Sequence, residues 1–527
     1  MKLARLVEAS ATVAKTRSRN AKIAALAEVL RALSGDEARI GVAYAAGELP
    51  QGRIGIGWAA VRDMIEQAGA PAAEPTLELL EVSAVLDAIQ GASGSGSAGR
   101  RRELLGGLVA RATEAERSFL GRLLVGELRQ GALEGLVLEA IATATGLAAS
   151  EVRRAAMLGG SVSEVGAHLL REGAPALASY RLVPFRPVLP MLASPADDVD
   201  ACLERLGEAS FELKLDGARV QVHKDGDDVR VYTRSLHDAT DRVPDIVEAV
   251  RALPARSLVL DGEAIVLAPD GSPVPFQTTM RRFGRRLEVE RMRAELPLST
   301  CLFDVLLVDD RVLLDEPARE RFACLESLVP RAMRVPRIVT ASIDEAEAYF
   351  ADAVGRGHEG LMAKSLTAPY EAGHRGFSWM KLKPAHTLDL VVLAVERGSG
   401  RREGTLSNLH LGARDPEHGG FVMLGKTFKG MTDAMLAWQT EHLRGLAIGE
   451  SDGYVVHVRP ELVAEIAFND VQASPRYPGG LALRFARVKR YRPDKRADEA
   501  DTIDAVRAIF SRFGTRLPLP EWGEGEG

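Results

Sequence analysis

Apolar residues recur at helical spacing through the first third of the chain: Leu3, Leu6 and Val7, then Ile23, Leu26, Leu30 and Leu33. A capping box at Thr113 and Glu116 opens a further helix, whose Phe119, Leu120, Leu123, Leu124 and Leu128 form one stripe. Residues 1–182 are therefore expected to be all-α, with the glycine and serine run at 91–97 as a mobile loop inside them. At Val183-Pro184-Phe185-Arg186-Pro187-Val188-Leu189-Pro190 proline density breaks the helical pattern and sets a boundary. Over 183–385 short strands at 229–233, 257–266, 302–308, 360–364 and 379–383 alternate with helices, which predicts an α+β domain. Strand-like runs at 388–395, 420–424, 454–458 and 462–467, with one helix from Thr432, predict a small β-barrel over 386–513. A short acidic tail, 514–527, closes this multidomain chain.

With 527 residues the chain is too long for one core. Cys202, Cys301 and Cys324 have no CxxC spacing, which argues against a zinc site or a disulfide framework and for a reducing compartment. No apolar run is long enough to span a bilayer and no secretory signal opens the chain, so no membrane association and a cytoplasmic location are expected. The net charge of -6 does not advertise a nucleic-acid binder. Cations are nonetheless clustered at Arg100-Arg101-Arg102, at Arg281, Arg282, Arg285 and Arg286, and from Arg484 to Lys495. Each is either a solvated patch or a contact to an anionic polymer, and three such clusters in an acidic protein favour the polymer.

The segment Phe211-Glu212-Leu213-Lys214-Leu215-Asp216-Gly217-Ala218-Arg219 alternates apolar and charged residues. As a strand it would align Glu212, Lys214 and Asp216 on one face, either as a solvated side or as a flanked amine that acts as a nucleophile. Two other matches fail on mechanism. Residues 420–427 fit the Walker A pattern, but the middle four read as a strand, and a phosphate-cradling loop must run straight into a helix. Gly55-Ile56-Gly57 lies in a helical region and reads as a turn leading into a helix. No HExxH helix or GxSxG elbow is present. Downstream, polar side chains sit inside apolar strands at Thr233-Arg234-Ser235, Leu260-Asp261-Gly262-Glu263, Phe303-Asp304-Val305, Glu359-Gly360-Leu361-Met362-Ala363-Lys364 and Trp379-Met380-Lys381-Leu382-Lys383. Buried unpaired they would be costly, so the series predicts one shared polar pocket, in which Lys381 and Lys383 share a face suited to a polyphosphate.

The KxDGxR core with this series resembles the covalent nucleotidyltransferases, and leaves RNA ligases and capping enzymes open. The last motif, Leu483-Arg484-Phe485-Ala486-Arg487-Val488-Lys489-Arg490-Tyr491-Arg492-Pro493-Asp494-Lys495, narrows it, as do Arg401-Arg402-Glu403-Gly404 with Leu406-Ser407-Asn408 and Gly126-Glu127-Leu128-Arg129-Gln130-Gly131. Together they are similar to the ATP-dependent DNA ligases of the archaeal and eukaryotic type over nearly the whole chain. The resemblance implies a helical DNA-binding domain (1–182), an adenylation domain (183–385) and an OB-fold domain (386–513). It implies ATP as cosubstrate and Mg²⁺ or Mn²⁺ as cofactor, with Lys214 as the residue that becomes lysyl-adenylate. Glu212 would lie beside the adenine and Phe303 would stack on it. Arg219 and Arg234 would contact ribose and phosphates, and later the nick. Glu263 would hold the ribose or a metal, Glu359 the metal, and Arg375, Lys381 and Lys383 the phosphates. Arg487 and Lys495 would swing over the site to orient pyrophosphate, and the cations would hold Lys214 neutral. Read without the family, Phe303 is equally a core residue, Glu263 and Glu359 turn carboxylates, and Arg375 a surface residue. The implied partner is nicked duplex DNA, bound without sequence preference by a monomer, with a sliding clamp or repair proteins as further partners and a nucleoid association in a prokaryote. A catalytically silent nick-binding factor is the alternative from another class.

Overall fold

The computed structural model describes residues 1–52, 54–126, 128, 133–284, 289–371, 375–384, 386–398, 402–449 and 453–514. Arg129, Gln130, Gly131, Arg285, Arg286, Arg401 and nearly all of the acidic tail lie outside the described residues. Among the described residues, the N-terminal region holds ten α-helices, from Leu3–Lys15 to Val162–Glu172, around one core that buries Leu6, Leu30, Val82, Phe119 and Ile141. The capping box forms: Thr113 accepts from the Glu116 amide, and the Glu116 carboxylate accepts from the Thr113 amide at 2.9 Å. The helix it opens, Glu114–Leu124, turns Phe119, Leu120 and Leu123 inward, as the stripe predicts. Gly57 caps the helix Trp58–Gln67, in keeping with a turn rather than a dinucleotide loop.

The central region is two five-stranded sheets with helices packed against them. Its strands are β1 (Leu192–Pro195), β2 (Ala209–Leu213), β3 (Ala218–Asp225), β4 (Asp228–Thr233), β5 (Ser257–Val266), β6 (Leu298–Val308), β7 (Arg311–Val312), β8 (Arg337–Thr340), β9 (Leu361–Ser365) and β10 (Arg375–Leu382). One sheet has the order β1-β10-β9-β2-β8, the other β4-β3-β5-β6-β7. Between the end of β2 and the start of β3 the chain crosses from one sheet to the other, and that crossing carries Lys214. The linker after residue 182 is packed into a cluster of Met157, Leu158, Val188, Leu306 and Trp379, which joins the helical and central regions.

The C-terminal region is strand-rich: β11 (His386–Arg397), β12 (Leu406–Arg414), β13 (Phe421–Thr427), β14 (Val455–His457), β15 (Val463–Phe468), β16 (Asp470–Ala473), β17 (Leu481–Arg484) and β18 (Arg487–Tyr491). The order β13-β12-β11-β15-β18, with β14 on β11 and a separate β16-β17 pair, is an open path among the described residues, not the closed ring that the barrel expectation requires. The Walker-like residues are β13 itself, and Lys426 is ion-paired with Glu396, so no phosphate loop forms there. No single helix among the described residues is long and apolar enough to cross a membrane.

Candidate active site

The cleft between the two central sheets measures about 1120 Å³, and its lining includes Glu212, Lys214, Arg219, Arg234, Glu263, Phe303, Glu359, Lys381 and Lys383. Nine of the residues singled out in the sequence thus converge. Two backbone hydrogen bonds and a close-passing glycine position Lys214. Its amide donates to Gly360 O at 2.8 Å, and its carbonyl accepts from the Glu359 amide at 3.1 Å, which locks the residue after β2 to the turn before β9. A Cβ on Gly217 would lie 2.4 Å from Ala264 O, so only glycine lets the chain pass β5 this closely.

The Lys214 ammonium is ion-paired with Glu359, and Lys383 bonds to the other oxygen of the same carboxylate. Burial pushes the Glu359 carboxyl up, but Lys214 and Lys383 outweigh that and hold it below the usual carboxylate range. The nearest partner of the amine is therefore an anion, and of the cations expected to surround it Lys383 shares that same carboxylate. Glu263 stands differently: burial pushes its carboxyl up to about 7 against the pull of Lys214 and Arg219. Asp216 is also raised, first by burial and then by the charge of Glu359.

Glu212 does not share an open face with Lys214. β2 is buried along its whole length, and the Glu212 carboxylate lies 2.5 Å from Lys364 Nζ and 3.3 Å from Arg337 Nη2. Lys364 is fully buried and sits 4.3 Å over the Phe303 ring and 4.4 Å over Trp379. Burial lowers its pKa against the pull of Glu212 and Asp304. Arg219 forks onto Asp261 at 3.1 and 2.7 Å and donates to Met191 O at 2.6 Å, while Tyr370 donates its hydroxyl to Asp261 at 2.7 Å. Asp304 is buried in a bidentate pair with Arg321 at 2.8 and 3.1 Å. Asp261 and Asp304 thus build the frame of the pocket and do not face its space.

Arg375 begins β10, and its side chain lies outside the described residues. Arg487 donates to Asn469 Oδ1 at 3.2 Å and Lys495 to Asp389 at 2.6 Å, and neither lines the cleft. The C-terminal region reaches the cleft through Arg484 and Phe485 instead, with Arg484 3.6 Å from Asp216 and Lys383 5.5 Å over the Phe485 ring. Phe485 has φ of 56°, a left-handed backbone that sequence pattern does not reveal. Two of the basic clusters are partly structural. Arg101 donates inward to Ile89 O and Ala92 O at 3.3 and 2.6 Å, and Arg282 is buried against Asp245 at 2.6 Å. No group of three or more candidate ligands for a metal occurs among the described residues.

An amine at a strand end, a shared glutamate and flanking lysines in a cleft between two sheets define a nucleotidyltransferase-like site. Family models described as DNA ligase N terminus, ATP dependent DNA ligase domain and ATP dependent DNA ligase C terminal region match residues 58–142, 190–383 and 402–495. A chain named "Probable DNA ligase" from Anaeromyxobacter sp. (strain Fw109-5) is 61% identical over 97% of this chain and 98% of its own length. One of the same name from Sorangium cellulosum (strain So ce56) is 55% identical over 96% and 95%. The chain belongs to the ATP-dependent DNA ligase family. A solved structure described as "Pmar-Lig_Pre." shares the fold, with a TM-score of 0.61 and 18% identity over 93% of this chain and 99% of that one.

Proposed function

We propose that the chain seals nicks in duplex DNA by three in-line phosphoryl displacements through Lys214. Lys214 Nζ, having lost a proton, attacks the α-phosphorus of ATP; the N–P bond forms as the bond to the pyrophosphate oxygen breaks. The AMP then passes to the 5′-phosphate of a nick, freeing the amine, and the 3′-hydroxyl displaces AMP to close the phosphodiester. The observation that carries this reading is the Lys214–Glu359–Lys383 triad on the cleft floor. Glu359 must release Lys214 before attack, and it would be free to do so where a divalent cation, if bound, gave its carboxylate another partner. Glu359 and Glu263 would hold such a cation together with the substrate phosphates, and it would supply positive charge against that developing at phosphorus.

In this reading Phe303 stacks on adenine, and Glu212 meets the base through its backbone because its carboxylate is engaged by Lys364. Arg219 and Arg234 serve ribose and phosphates, and later the nick; Arg375, Lys381 and Lys383 serve the phosphates. Arg487 and Lys495 orient pyrophosphate after the C-terminal region moves, Lys495 leaving Asp389. We read residues 1–182 as the DNA-binding domain, 183–385 as the adenylation domain and 386–513 as an OB-fold. Support for the last is the bond from the Val488 amide to Lys429 O at 2.9 Å, just beyond β13, which draws the two edges of the open sheet together. The protein would act as a monomer on nicked DNA of any sequence. Incubation with α-labelled ATP, GTP or NAD tests the reading: label on protein from ATP, lost in Lys214→Ala, together with sealing of a nicked duplex, is expected. Label from another donor, or none, overturns it.

A further inference from the structure

The turn that carries Arg234 is held from outside the central sheets. Residues 233–237 form a tight loop after β4: the Leu236 amide donates to Thr233 O at 2.8 Å and the Thr233 amide to His237 O at 2.9 Å. Thr233, Arg234, Ser235 and His237 line the cleft, and Leu236 does not. Leu236 has φ of 63°, a conformation that side chains branched near the backbone seldom adopt, and it is half-buried. What it packs on belongs to another part of the molecule. A Cβ at Gly160, the left-handed cap of the helix Ala149–Gly159, would lie 3.1 Å from Leu236 Cδ1 and 3.1 Å from Pro187 O in the linker. The same linker grips the β3-β4 hairpin at two more points. Tyr232 donates its hydroxyl to Phe185 O at 3.0 Å, and the Phe185 amide donates to His223 Nδ1 at 2.9 Å. Farther along, the Leu189 amide donates to Met157 O at 2.9 Å, which ties the linker back to the helix that Gly160 caps.

We propose that Leu236 is a positioning residue through which the helical region sets Arg234 at the mouth of the cleft. The inference rests on the ligase reading above. It adds that the pose of the N-terminal region is transmitted to Arg234 through this side chain, beyond what the hairpin's bonds to the linker fix. With Leu236 seated against Gly160 the tip of the loop has one position; without it, the hairpin keeps its bonds to Phe185 but the tip is held only by its own hydrogen bonds and Arg234 loses its register. A displacement of about 1 Å in a positioning group is enough to lower a rate by roughly ten- to a hundredfold.

The test is a double-mutant cycle on the full chain, read by single-turnover sealing of a nicked duplex, by label transfer from ATP and by thermal melting. Leu236→Gly removes the side chain and accepts the backbone angle, so its melting temperature should match that of the parent. We expect Leu236→Gly to slow sealing about tenfold or more, as Arg234→Ala does, and the double variant to be no worse than Arg234→Ala within about twofold. Losses that multiply, or a Leu236→Gly protein that seals at the parental rate, overturn the proposal. Should Leu236→Gly melt early, Leu236→Asn, which also tolerates a left-handed backbone, carries the same comparison. A parent protein that neither takes label nor seals would undo the ligase reading instead, so the two failures are distinct.

Discussion

Glu263 offers the clearest handle on charge within the cleft. Burial pushes its carboxyl to about 7, well above the value of an unfolded glutamate. Between those two values the folded protein binds more protons than the unfolded chain, so stability from this residue is full below the unfolded value and is lost as pH rises from there to about 7. Glu263→Gln, which mimics the protonated form, should exceed the parent in urea unfolding by only about 1 kcal/mol at pH 5 and by up to ~3 kcal/mol at pH 8. An unchanged difference between the two pH values would mean that Glu263 is solvated. Glu359 behaves oppositely, because Lys214 and Lys383 outweigh its burial. Glu359→Gln leaves two ammonium groups without their shared anion. Label transfer from ATP should fall by about a hundredfold or more, while binding of nicked DNA in a gel-shift assay stays near the parental value. The sequence makes these residues visible because lysines and glutamates inside apolar strands need partners. It misleads at Glu212, whose alternation with Lys214 suggests a common face. β2 ends at Leu213, Lys214 is drawn off to Gly360, and Glu212 is left in the core with Lys364. Nothing in spacing alone distinguishes an inward carboxylate with a buried ammonium partner from an outward one.

At the scale of elements, alternation and turn residues place most strands to within a few residues. β5 at Ser257–Val266 matches its expected bounds, and β6 and β11 extend theirs by a few positions. Whether the C-terminal sheet closes was less legible, because closure depends on long-range pairing: the described pairings leave the path open, and the bond from Val488 in β18 runs to Lys429, which lies beyond the end of β13. Glycines are where local sequence speaks most directly about the site. Gly217 lets the crossing between sheets approach β5, and a Cβ there would lie 2.4 Å from Ala264 O, a backbone atom that cannot swing aside. Gly217→Ala should therefore cost about 1–3 kcal/mol of stability in urea unfolding, as overpacking does, and should displace Lys214 from Glu359. Label transfer would then drop even at temperatures where the variant remains folded. Full activity in Gly217→Ala would show that the crossing is free to move away from β5, and that the position of Lys214 is not fixed by it.

Across the whole molecule, the helical and C-terminal regions meet the cleft by different means. The helical side is joined through an apolar cluster and a linker whose backbone is hydrogen-bonded at Phe185, Val188 and Met191. The C-terminal side reaches the cleft by charge: Arg484 lies 3.6 Å from Asp216 and 3.9 Å from Asp470, beside the exposed ring of Phe485. Ion pairs that are partly open to water contribute little and weaken with salt, whereas an apolar cluster does not. The C-terminal region is therefore the part expected to move during the reaction, and a charge reversal should release it. In Arg484→Glu a new carboxylate would face Asp216 and Asp470, so small-angle scattering should show a larger radius of gyration than for the parent, and the parent itself should expand at high salt. Label transfer from ATP should slow in the variant, since Arg484 and Phe485 complete the cleft wall, and replacing Asp216 is no remedy because that residue borders Lys214. Asp470 is the safer partner for a rescue: Asp470→Lys in the Arg484→Glu background restores opposite charges across β16 and β17, but leaves Asp216 facing a glutamate. Only if the latch runs through Asp216 will scattering stay expanded in that double variant; a return to the parental radius would assign the closed form to the pairing within the C-terminal region itself.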